Sequence, residues 1–262
     1  MMDLHRQEGI LNLLAQRPFL TVRELQAEMG VSAATIRREI DKLHAKGSIK
    51  KVHGGIARLG NSGMYQRAVA RPFVENLDLH VAEKTAISRE AGKLVRDGSI
   101  ILVHGGSTCF HFGRHVARRN IRILTNSMPL AAYLSENGTC QLTVGGGDLH
   151  REPGILFDPQ VRQRNLFASQ FFVGALRVSE RGLLEANPLL VQHTREMAAV
   201  ATEVIVLVDS HKFEDLHPKV ALTFDKVDRL ITDDGLADRD AKMLEDAGVD
   251  VIVAETGRDA HG

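Results

Sequence analysis

The spacing of apolar residues divides the chain into a helical beginning and a longer region in which strands and helices alternate. Residues 4–16 carry apolar side chains at helical intervals, and Pro18 prevents this helix from continuing. A second short helix follows Thr21, which has the form of an N-cap, and Gly30 suits the tight turn after that helix. Two short helices in this order predict the first part of a helix-turn-helix.

The next segment, residues 32–46, predicts a longer third helix with Ser32 as its N-cap. One face of this helix is apolar, at positions Ile36, Ile40 and Leu43. Arg37 and Arg38 lie off that face. A capped helix with cations on its outer side is what a reader of the DNA major groove needs, because its first residues reach base edges and its cations meet phosphates.

A β-hairpin is predicted directly after this helix, with strands at residues 48–53 and 56–59 around the pair Gly54-Gly55. Such a wing completes a winged helix-turn-helix over residues 1–59. We expect DNA contacts from Thr21, Ser32, Ala33, Ala34, Thr35, Arg37, Arg38, Lys42, Lys51, His53 and Gly54. The alternative is a generic bundle of amphipathic helices whose cations form a solvated face.

A change of pattern separates this segment from the rest of the chain. Residues 60–80 are rich in Gly, Asn and Ser, contain Pro72 and have little apolar periodicity, which indicates a linker with a short helix near residues 65–69. From residue 81 to residue 262, apolar runs alternate with helical segments. This alternation predicts an α/β domain with a mostly parallel sheet.

The predicted elements of this domain are short and regularly spaced. Strands are expected at residues 99–103, 121–124, 141–144, 171–173, 204–208, 229–232 and 249–253. Helices are expected at residues 83–95, 109–117, 128–135, 188–201 and 238–246. Ligands of open α/β sheets bind beyond the carboxyl ends of the strands, so the loops after these strands are the candidate site.

Several of these loops are small and rich in hydrogen-bond donors, which suits a polyol that carries a phosphate. We expect effector contacts from Glu83, Lys84, His104, Gly105, Gly106, Ser107, Thr108, Thr125, Asn126, Ser127, Gly145, Gly146, Asp209 and Lys212. For each loop alone, a plain tight turn is the competing interpretation, and His104 is equally suited to packing. Asp209 is equally suited to capping a helix.

Composition adds limits to this interpretation. The formal net charge is zero, yet residues 1–60 carry ten Lys/Arg and six Asp/Glu (10 − 6 = +4), so the remainder carries −4. Cys109 and Cys140 form neither a disulfide framework nor a metal-ligand spacing, and no apolar run approaches a membrane span. We therefore expect a cytoplasmic protein. Histidine spacing and the absence of Gly-x-Gly-x-x-Gly and Walker motifs lead us to expect no metal and no cofactor.

The DNA-binding segment resembles a known family. Its residues are Val31-Ser32-x-x-Thr35-Ile36-Arg37-Arg38-Glu39-Ile40-x-x-Leu43, followed by Gly47 and Lys51-Val52-His53-Gly54-Gly55. This pattern is similar to the signature of the DeoR family of bacterial transcriptional regulators. Family members usually carry Asp where Glu39 stands. The acid is retained, so we expect the fold to be unaffected.

The second domain resembles the same family through Glu83-Lys84, Gly106-Ser107-Thr108, Thr125-Asn126-Ser127, Gly145-Gly146, Asp209-Ser210 and Lys212. This resemblance implies a fold similar to ribose-5-phosphate isomerase and a phosphorylated sugar or sugar acid as effector. The Gly-Ser-Thr loop and residues 129–134 are closest to the L-ascorbate utilisation repressors of the family. Many members carry Asp where His104 stands.

Two functions follow. The first is a ligand-controlled repressor of a sugar or sugar-acid catabolic operon, acting on operator DNA as a dimer or tetramer. The second is a sugar-phosphate isomerase-like enzyme with a basic N-terminal appendage. Asp148, Glu185 and Asp209 are available as a base for that chemistry, but they show no paired acid–base arrangement, and a shared fold does not carry an activity.

Overall fold

The computed structural model describes residues 2–16, 19–46, 48–52, 55–58, 73–151, 153–157, 167–214 and 219–257. The chain divides into two compact units, Met1–Val69 and Ala70–Gly262, and this division falls inside the predicted linker. Each unit has its own hydrophobic core. In the part of the chain described here, no helix is both long and apolar enough to cross a membrane.

The first unit is a winged helix-turn-helix, as predicted. Its helices are α1 (Met2–Gln16), α2 (Val22–Met29) and α3 (Ala33–Ala45). Its strands are β1 (Phe19–Thr21), β2 (Ile49–Val52) and β3 (Gly55–Arg58), in the antiparallel order β1-β3-β2. Strand β1 was not predicted, because three residues between two helices leave too short a pattern to recognise. The expected contact residues His53 and Gly54 lie outside the described residues.

The helix boundaries follow from their caps. The Thr21 hydroxyl accepts a hydrogen bond from Glu24 N at 3.1 Å, and the Glu24 carboxylate accepts one from Thr21 N at 2.8 Å, so the predicted capping box is present. Ser32 Oγ accepts from Thr35 N at 3.3 Å. Between these helices Gly30 adopts φ 63°, a conformation that favours glycine.

The wing differs from the prediction at Gly55, which is the first residue of β3 rather than part of the turn. It pairs with Thr21 of β1, and a Cβ atom at this position would lie 2.2 Å from the Leu20 carbonyl oxygen. The close approach of two backbones, rather than a left-handed turn, is therefore what requires glycine here.

The second unit contains a seven-stranded sheet of order β15-β14-β12-β9-β4-β5-β6, in which every pair is parallel. These strands are β4 (Ile100–Val103), β5 (Arg122–Thr125), β6 (Gln141–Val144), β9 (Ala168–Val173), β12 (Ala201–Leu207), β14 (Arg229–Asp233) and β15 (Asp250–Ala254). The helices are α4 (Phe73–Leu77), α5 (Val81–Leu94), α6 (Ser107–Val116), α7 (Met128–Asn137), α8 (Pro188–Ala198) and α9 (Asp238–Asp246). The predicted α/β fold class is confirmed.

Five further strands were not predicted: β7 (Asp148–His150), β8 (Ile155–Phe157), β10 (Arg177–Ser179), β11 (Gly182–Glu185) and β13 (Lys219–Leu222). The first two form a hairpin, and the other three form a small antiparallel sheet. Short strands that pair outside the main sheet lack the continuous apolar run of a doubly covered strand, which explains why the pattern missed them. Helix α8 also ends earlier than predicted, because residue 201 already belongs to β12.

The main sheet is covered on both faces. Neighbouring residues of β9 point to opposite sides, so Phe171 enters one core cluster and Phe172 the other. The Phe172 ring lies 4.2 Å from that of Phe112 on α6, measured between centroids. The predicted linker, residues 60–80, includes α4, and its Phe73 ring makes an edge contact with Phe110. The predicted helix at residues 65–69 lies outside the described residues.

Candidate nucleic-acid interface and effector pocket

Helix α3 separates a buried face from a cationic one, as its sequence predicts. Ile36, Ile40 and Leu43 are buried against the rest of the first unit. The exposed positions of the helix start include Ser32, Ala34, Arg37 and Arg38. Ala33 and Thr35 are half-buried and Lys42 is exposed. The helix therefore presents small residues near its start and guanidinium groups beside them, which is the arrangement of a major-groove reader.

Glu39, the acid that stands where the family usually carries Asp, is a structural residue of this module, a role that the sequence alone did not predict. Its side chain is only 3% exposed, and its carboxylate accepts hydrogen bonds from Gln7 Nε2 at 2.7 Å and Lys42 Nζ at 3.2 Å. Lys46 Nζ donates to Gln7 Oε1 at 2.9 Å. Together these bonds fix α3 to α1. The clue in the sequence is that Glu39 follows Ile36 by three residues, on the buried side of the helix.

An ion pair joins the wing to the third helix. Lys51 Nζ of β2 lies 2.6 Å from Asp41 Oδ1 of α3, and both side chains are exposed. An exposed pair of this kind adds little to stability. Its effect is on the DNA-facing charge, because Asp41 neutralises a cation that was predicted to contact the phosphate backbone.

Replacing Asp41 by Asn is expected to raise affinity for duplex DNA about two- to fivefold at low salt. The change removes a negative charge near the phosphates and releases Lys51, which together amount to roughly 1 kcal/mol at an exposed site. Fluorescence anisotropy with a fixed 30-base-pair duplex, repeated over a salt series, measures the effect. The control is Asp225→Asn, which removes the same charge from an exposed ion pair with Lys226 in the other unit. A DNA affinity equal to wild type would place Lys51 outside the interface.

In the second unit, the Gly-Ser-Thr loop leads from β4 into α6. Gly106 adopts φ 118° as the N-cap of this ten-residue helix, so a side chain at this position would be strained. A Cβ at Gly105 would lie 2.6 Å from the side chain of Ile155. The first N–H groups of a helix have no partner within it, and here the first two helical residues, Ser107 and Thr108, add their hydroxyls. This loop can bind an anion.

The loop borders a cavity of about 100 Å³. Its lining includes His104, Gly105, Gly106, Ser107 and Thr108 together with Lys212 and Glu185. Lys212 ends a 3₁₀ turn, Ser210–Lys212, which follows β12. The turn is fixed by Asp233, whose carboxylate accepts from Ser210 N at 2.7 Å and from Ser210 Oγ at 2.8 Å. An ammonium group and a helix N-terminus thus face the same small cavity.

Glu185 gives this cavity an acidic side. Burial raises the pKa of its carboxyl, although the hydrogen bonds from Ala186 N and Asn187 N and the charge of Lys212 act in the opposite direction. A hydroxyl donor or a cationic group of a ligand would bind at this side. The cavity therefore has Glu185 on one side, and on another it has Lys212 and the α6 N-terminus, which attract negative charge.

A second cavity, of about 180 Å³, also has His104 in its lining. It is lined by the predicted residues Thr125, Asn126, Gly145 and Gly146, and by His193 and Glu196 of α8. Asn126 Nδ2 lies 3.4 Å from a ring nitrogen of His193. Sequence reasoning missed His193, because nothing in a helix that begins with Asn187 indicates that one turn of it closes a cavity at the sheet edge.

His104 lines both cavities and is buried. Burial lowers the pKa of its imidazole to about 3, and the nearby His193 contributes to this shift, so the ring is neutral at physiological pH. Its Nδ1 lies 3.2 Å from the Gly105 carbonyl oxygen, a contact in which Nδ1 can only donate. Nε2 is then a buried acceptor, and no described residue donates a hydrogen bond to it. Such an atom is costly to bury unless a ligand donates to it.

The remaining predicted effector residues lie outside the linings of these cavities. Among the described residues, Glu83, Lys84, Ser127 and Asp209 are buried and line neither of these two cavities. Ser127 Oγ instead accepts from Leu130 N at 3.4 Å as the N-cap of α7. Lys84 Nζ donates to the carbonyl oxygens of Asn76 and Leu79, and burial lowers its pKa to about 8, against the opposing effect of Asp209. Direct contact of these four residues with an effector stays a prediction.

Comparisons with known proteins cover both units. Residues 79–234 match the DeoR C terminal sensor domain, and residues 6–61 match the DeoR-like helix-turn-helix domain. Proteins named HTH-type transcriptional regulator UlaR, from Shigella sonnei and Escherichia coli O1:K1, are each 30% identical over 257 residues, which is 96% of this chain and 99% of the relative.

Two of the similar solved structures match about half of the chain. Ribose 5-phosphate isomerase A from Methanocaldococcus jannaschii is 22% identical with a TM-score of 0.38, over 50% of this chain and 53% of that chain. The eIF2B delta subunit from Chaetomium thermophilum is 16% identical with a TM-score of 0.41, over 52% of this chain and 50% of that chain.

Proposed function

This chain belongs to the DeoR family of transcriptional regulators, and we propose that it represses a sugar-acid catabolic operon until a phosphorylated sugar acid binds its second domain. It is a DNA-binding regulator and not an enzyme, as its relatives over almost the whole chain are transcriptional regulators. The isomerase-like alternative is therefore set aside. A dimer or tetramer in the cytoplasm would place two winged modules on repeated half-sites.

The observation that carries this proposal is the orphan acceptor of His104 beside the Gly-Ser-Thr loop. His104 Nε2 is buried with no donor among the described residues, and the neighbouring cavity contains Lys212 and the N-terminus of α6. A phosphate meets the loop and the ammonium, while a hydroxyl of the same ligand donates to Nε2. One small molecule that carries both a phosphate and a hydroxyl would therefore provide partners for the α6 N-terminus, Lys212 and His104 Nε2.

Effector binding changes DNA binding only if the effector has different affinities for the operator-bound and operator-free arrangements. We propose that the effector favours the arrangement with weaker operator affinity, so that the operon is expressed when its substrate is present. The observable consequence is reciprocal, since operator DNA must then weaken effector binding by the same factor.

A ligand screen tests this function directly. Purified full-length protein is heated with each of a set of sugar phosphates, sugar-acid phosphates and the matching unphosphorylated compounds, and ligands that bind the folded state raise the melting temperature. Each hit is then added to a complex with an operator selected from random duplexes. We expect a phosphorylated sugar acid to raise the melting temperature and release the DNA. Stabilisation without any change in DNA affinity would contradict the proposed control.

His104→Leu is expected to weaken effector binding about tenfold or more without unfolding the protein. Leucine has a similar volume and no acceptor, so the ligand hydroxyl would lose its partner, at about 1–3 kcal/mol. Titration calorimetry with the best hit of the screen measures the change. The control is His150→Leu in β7, because His150 itself lines neither cavity. Equal affinities for wild type and His104→Leu would exclude a hydrogen bond to Nε2.

A further inference from the structure

Two histidines that are far apart in the sequence meet beside buried carboxylates. His80 precedes α5 and Glu83 is in its first turn, whereas His211 lies in the 3₁₀ turn after β12. The two imidazole rings are stacked with centroids 3.9 Å apart. One ligand atom each from His80, Glu83 and His211 can be chosen so that all three lie within 4.8 Å of one another. We propose that this cluster, with Asp209, binds a divalent transition-metal ion, Zn²⁺ in the first place.

Asp209 is the independent observation that points to a cation. Its side chain is 1% exposed, and neither of its carboxylate oxygens has a hydrogen-bond partner among the described residues. Asp209 Oδ1 lies 3.5 Å from His211 Nδ1, on the side where the cluster lies. Asp209 interacts electrostatically with the Lys84 ammonium, but that ammonium donates its hydrogen bonds to the carbonyl oxygens of Asn76 and Leu79. The buried Asp209 oxygens therefore still lack a hydrogen bond, and coordination of a metal ion would satisfy them.

Two of the distances match the separation of neighbouring ligand atoms around one Zn²⁺ ion. Zn²⁺ binds imidazole nitrogen and carboxylate oxygen at about 2.0–2.2 Å, which places neighbouring ligand atoms roughly 3.3–3.6 Å apart. His80 Nδ1 lies 3.6 Å from Glu83 Oε1, and the His211–Asp209 pair is equally close. The carboxylates are buried and fixed, while the side chain of His211 is 52% exposed and that of His80 is 36% exposed. The imidazoles can therefore turn towards a shared ion.

The donor set selects the class of ion. Two imidazoles and two carboxylates suit Zn²⁺ and neighbouring first-row metals, whereas Ca²⁺ and Mg²⁺ prefer oxygen ligands alone. The charge also fits, because Glu83 and Asp209 contribute two negative charges, and the Lys84 ammonium, which interacts electrostatically with both carboxylates, offsets only one of them. A bound ion would tie the start of α5 to the turn that carries Lys212, one of the residues lining the smaller cavity.

Metal titration of the full-length protein tests the site. Protein freed of metal by a chelator and exchanged into chelator-free buffer is titrated with Zn²⁺, both by calorimetry and by melting temperature. We expect wild type to bind one more Zn²⁺ per chain than His80→Asn/His211→Ala, and to show a rise in melting temperature that the double variant lacks. Asn is chosen at position 80 because it tolerates the positive φ of 52° found there. His115→Ala, at an exposed histidine of α6, is the control and should behave as wild type.

Co²⁺ provides a readout that does not depend on the variants. Tetrahedral Co²⁺ with nitrogen and oxygen ligands absorbs visible light far more strongly than the hydrated ion, so wild-type protein should develop this spectrum and lose it when Zn²⁺ is added. Equal Zn²⁺ stoichiometry in wild type and the double variant, or a Co²⁺ spectrum that remains that of the hydrated ion, would overturn the proposal. Neither readout requires an effector or DNA, so the result is independent of the proposed function.

Discussion

Replacing Arg37 and Arg38 together by Ala is expected to weaken operator binding at least about thirtyfold at physiological salt while leaving the free energy of unfolding nearly unchanged. A base or phosphate contact of a DNA-binding Arg is worth about 1–3 kcal/mol, so two contacts amount to roughly 2 kcal/mol or more. Both side chains are exposed on α3, on the side away from Ile36 and Ile40, so truncation opens no cavity in the core.

The salt dependence separates phosphate contacts from base contacts. Each phosphate contact that is lost reduces the slope of log affinity against log salt by about 0.9, whereas loss of a base contact leaves the slope unchanged and relaxes sequence preference. Anisotropy titrations of each single variant and of the double variant, over a salt series, therefore assign a role to each Arg.

The matched control removes two exposed guanidinium groups from the second unit, as Arg118→Ala/Arg239→Ala. This variant has the same net charge as Arg37→Ala/Arg38→Ala, so a general effect of charge on DNA binding would appear in both. Operator affinity and slope equal to wild type in the Arg37/Arg38 variant would exclude the outer face of α3 from the interface. An equal loss of operator affinity in both double variants would show that the effect comes from the change in net charge and not from contacts made by Arg37 and Arg38.

The helices and the central strands can be predicted from the sequence because the residues that determine them are close together in the chain. Spacings of four and three at Ile36, Ile40 and Leu43 define the buried face of α3, and the caps at Thr21 and Ser32 lie in the same few residues as the helices they begin. The apolar runs of the central strands indicate a sheet covered on both faces. Parallel pairing then brings the loops after the strands to one edge of the sheet, and the sequence predicts the effector pocket at that edge.

What the sequence did not predict depends on contacts between distant residues. Glu39 stabilises the module through Gln7, a residue on another helix, and His193 closes a cavity from α8. Nor does the sequence indicate that His104 lines two cavities. The assignment of Lys84 to effector binding likewise followed from its type, whereas in the structure its ammonium is hydrogen-bonded to the backbone before α5.

The same limit applies to the histidines. Spacing along the chain gave no indication of metal binding, because His80 and His211 belong to segments that only the order of the sheet brings together. A sequence motif for metal binding requires its ligands to be close in the chain or to follow a known interval. Sites assembled from the start of one helix and the end of a distant strand fall outside that rule.

Lys212→Ala is expected to weaken effector binding by about ten- to a hundredfold and to leave operator binding without effector unchanged. Lys212 lines the cavity beside the N-terminus of α6, where it supplies a full positive charge to a ligand phosphate. A hydrogen bond to a charged group is worth about 1.5–3 kcal/mol. Because the turn that carries Lys212 is fixed by Asp233 through Ser210, the variant should retain the fold of the turn.

The measurement is the effector concentration that releases half of the operator DNA, determined for wild type, Lys212→Ala and Lys226→Ala. Lys226 is an exposed lysine that pairs with Asp225 and lines neither cavity, so its variant should match wild type. Lys212→Arg retains the charge and should recover part of the response if charge is what binds the ligand. A wild-type response from Lys212→Ala would move the phosphate away from this cavity. A loss of operator binding in that variant would instead show that Lys212 acts on the DNA-binding state itself.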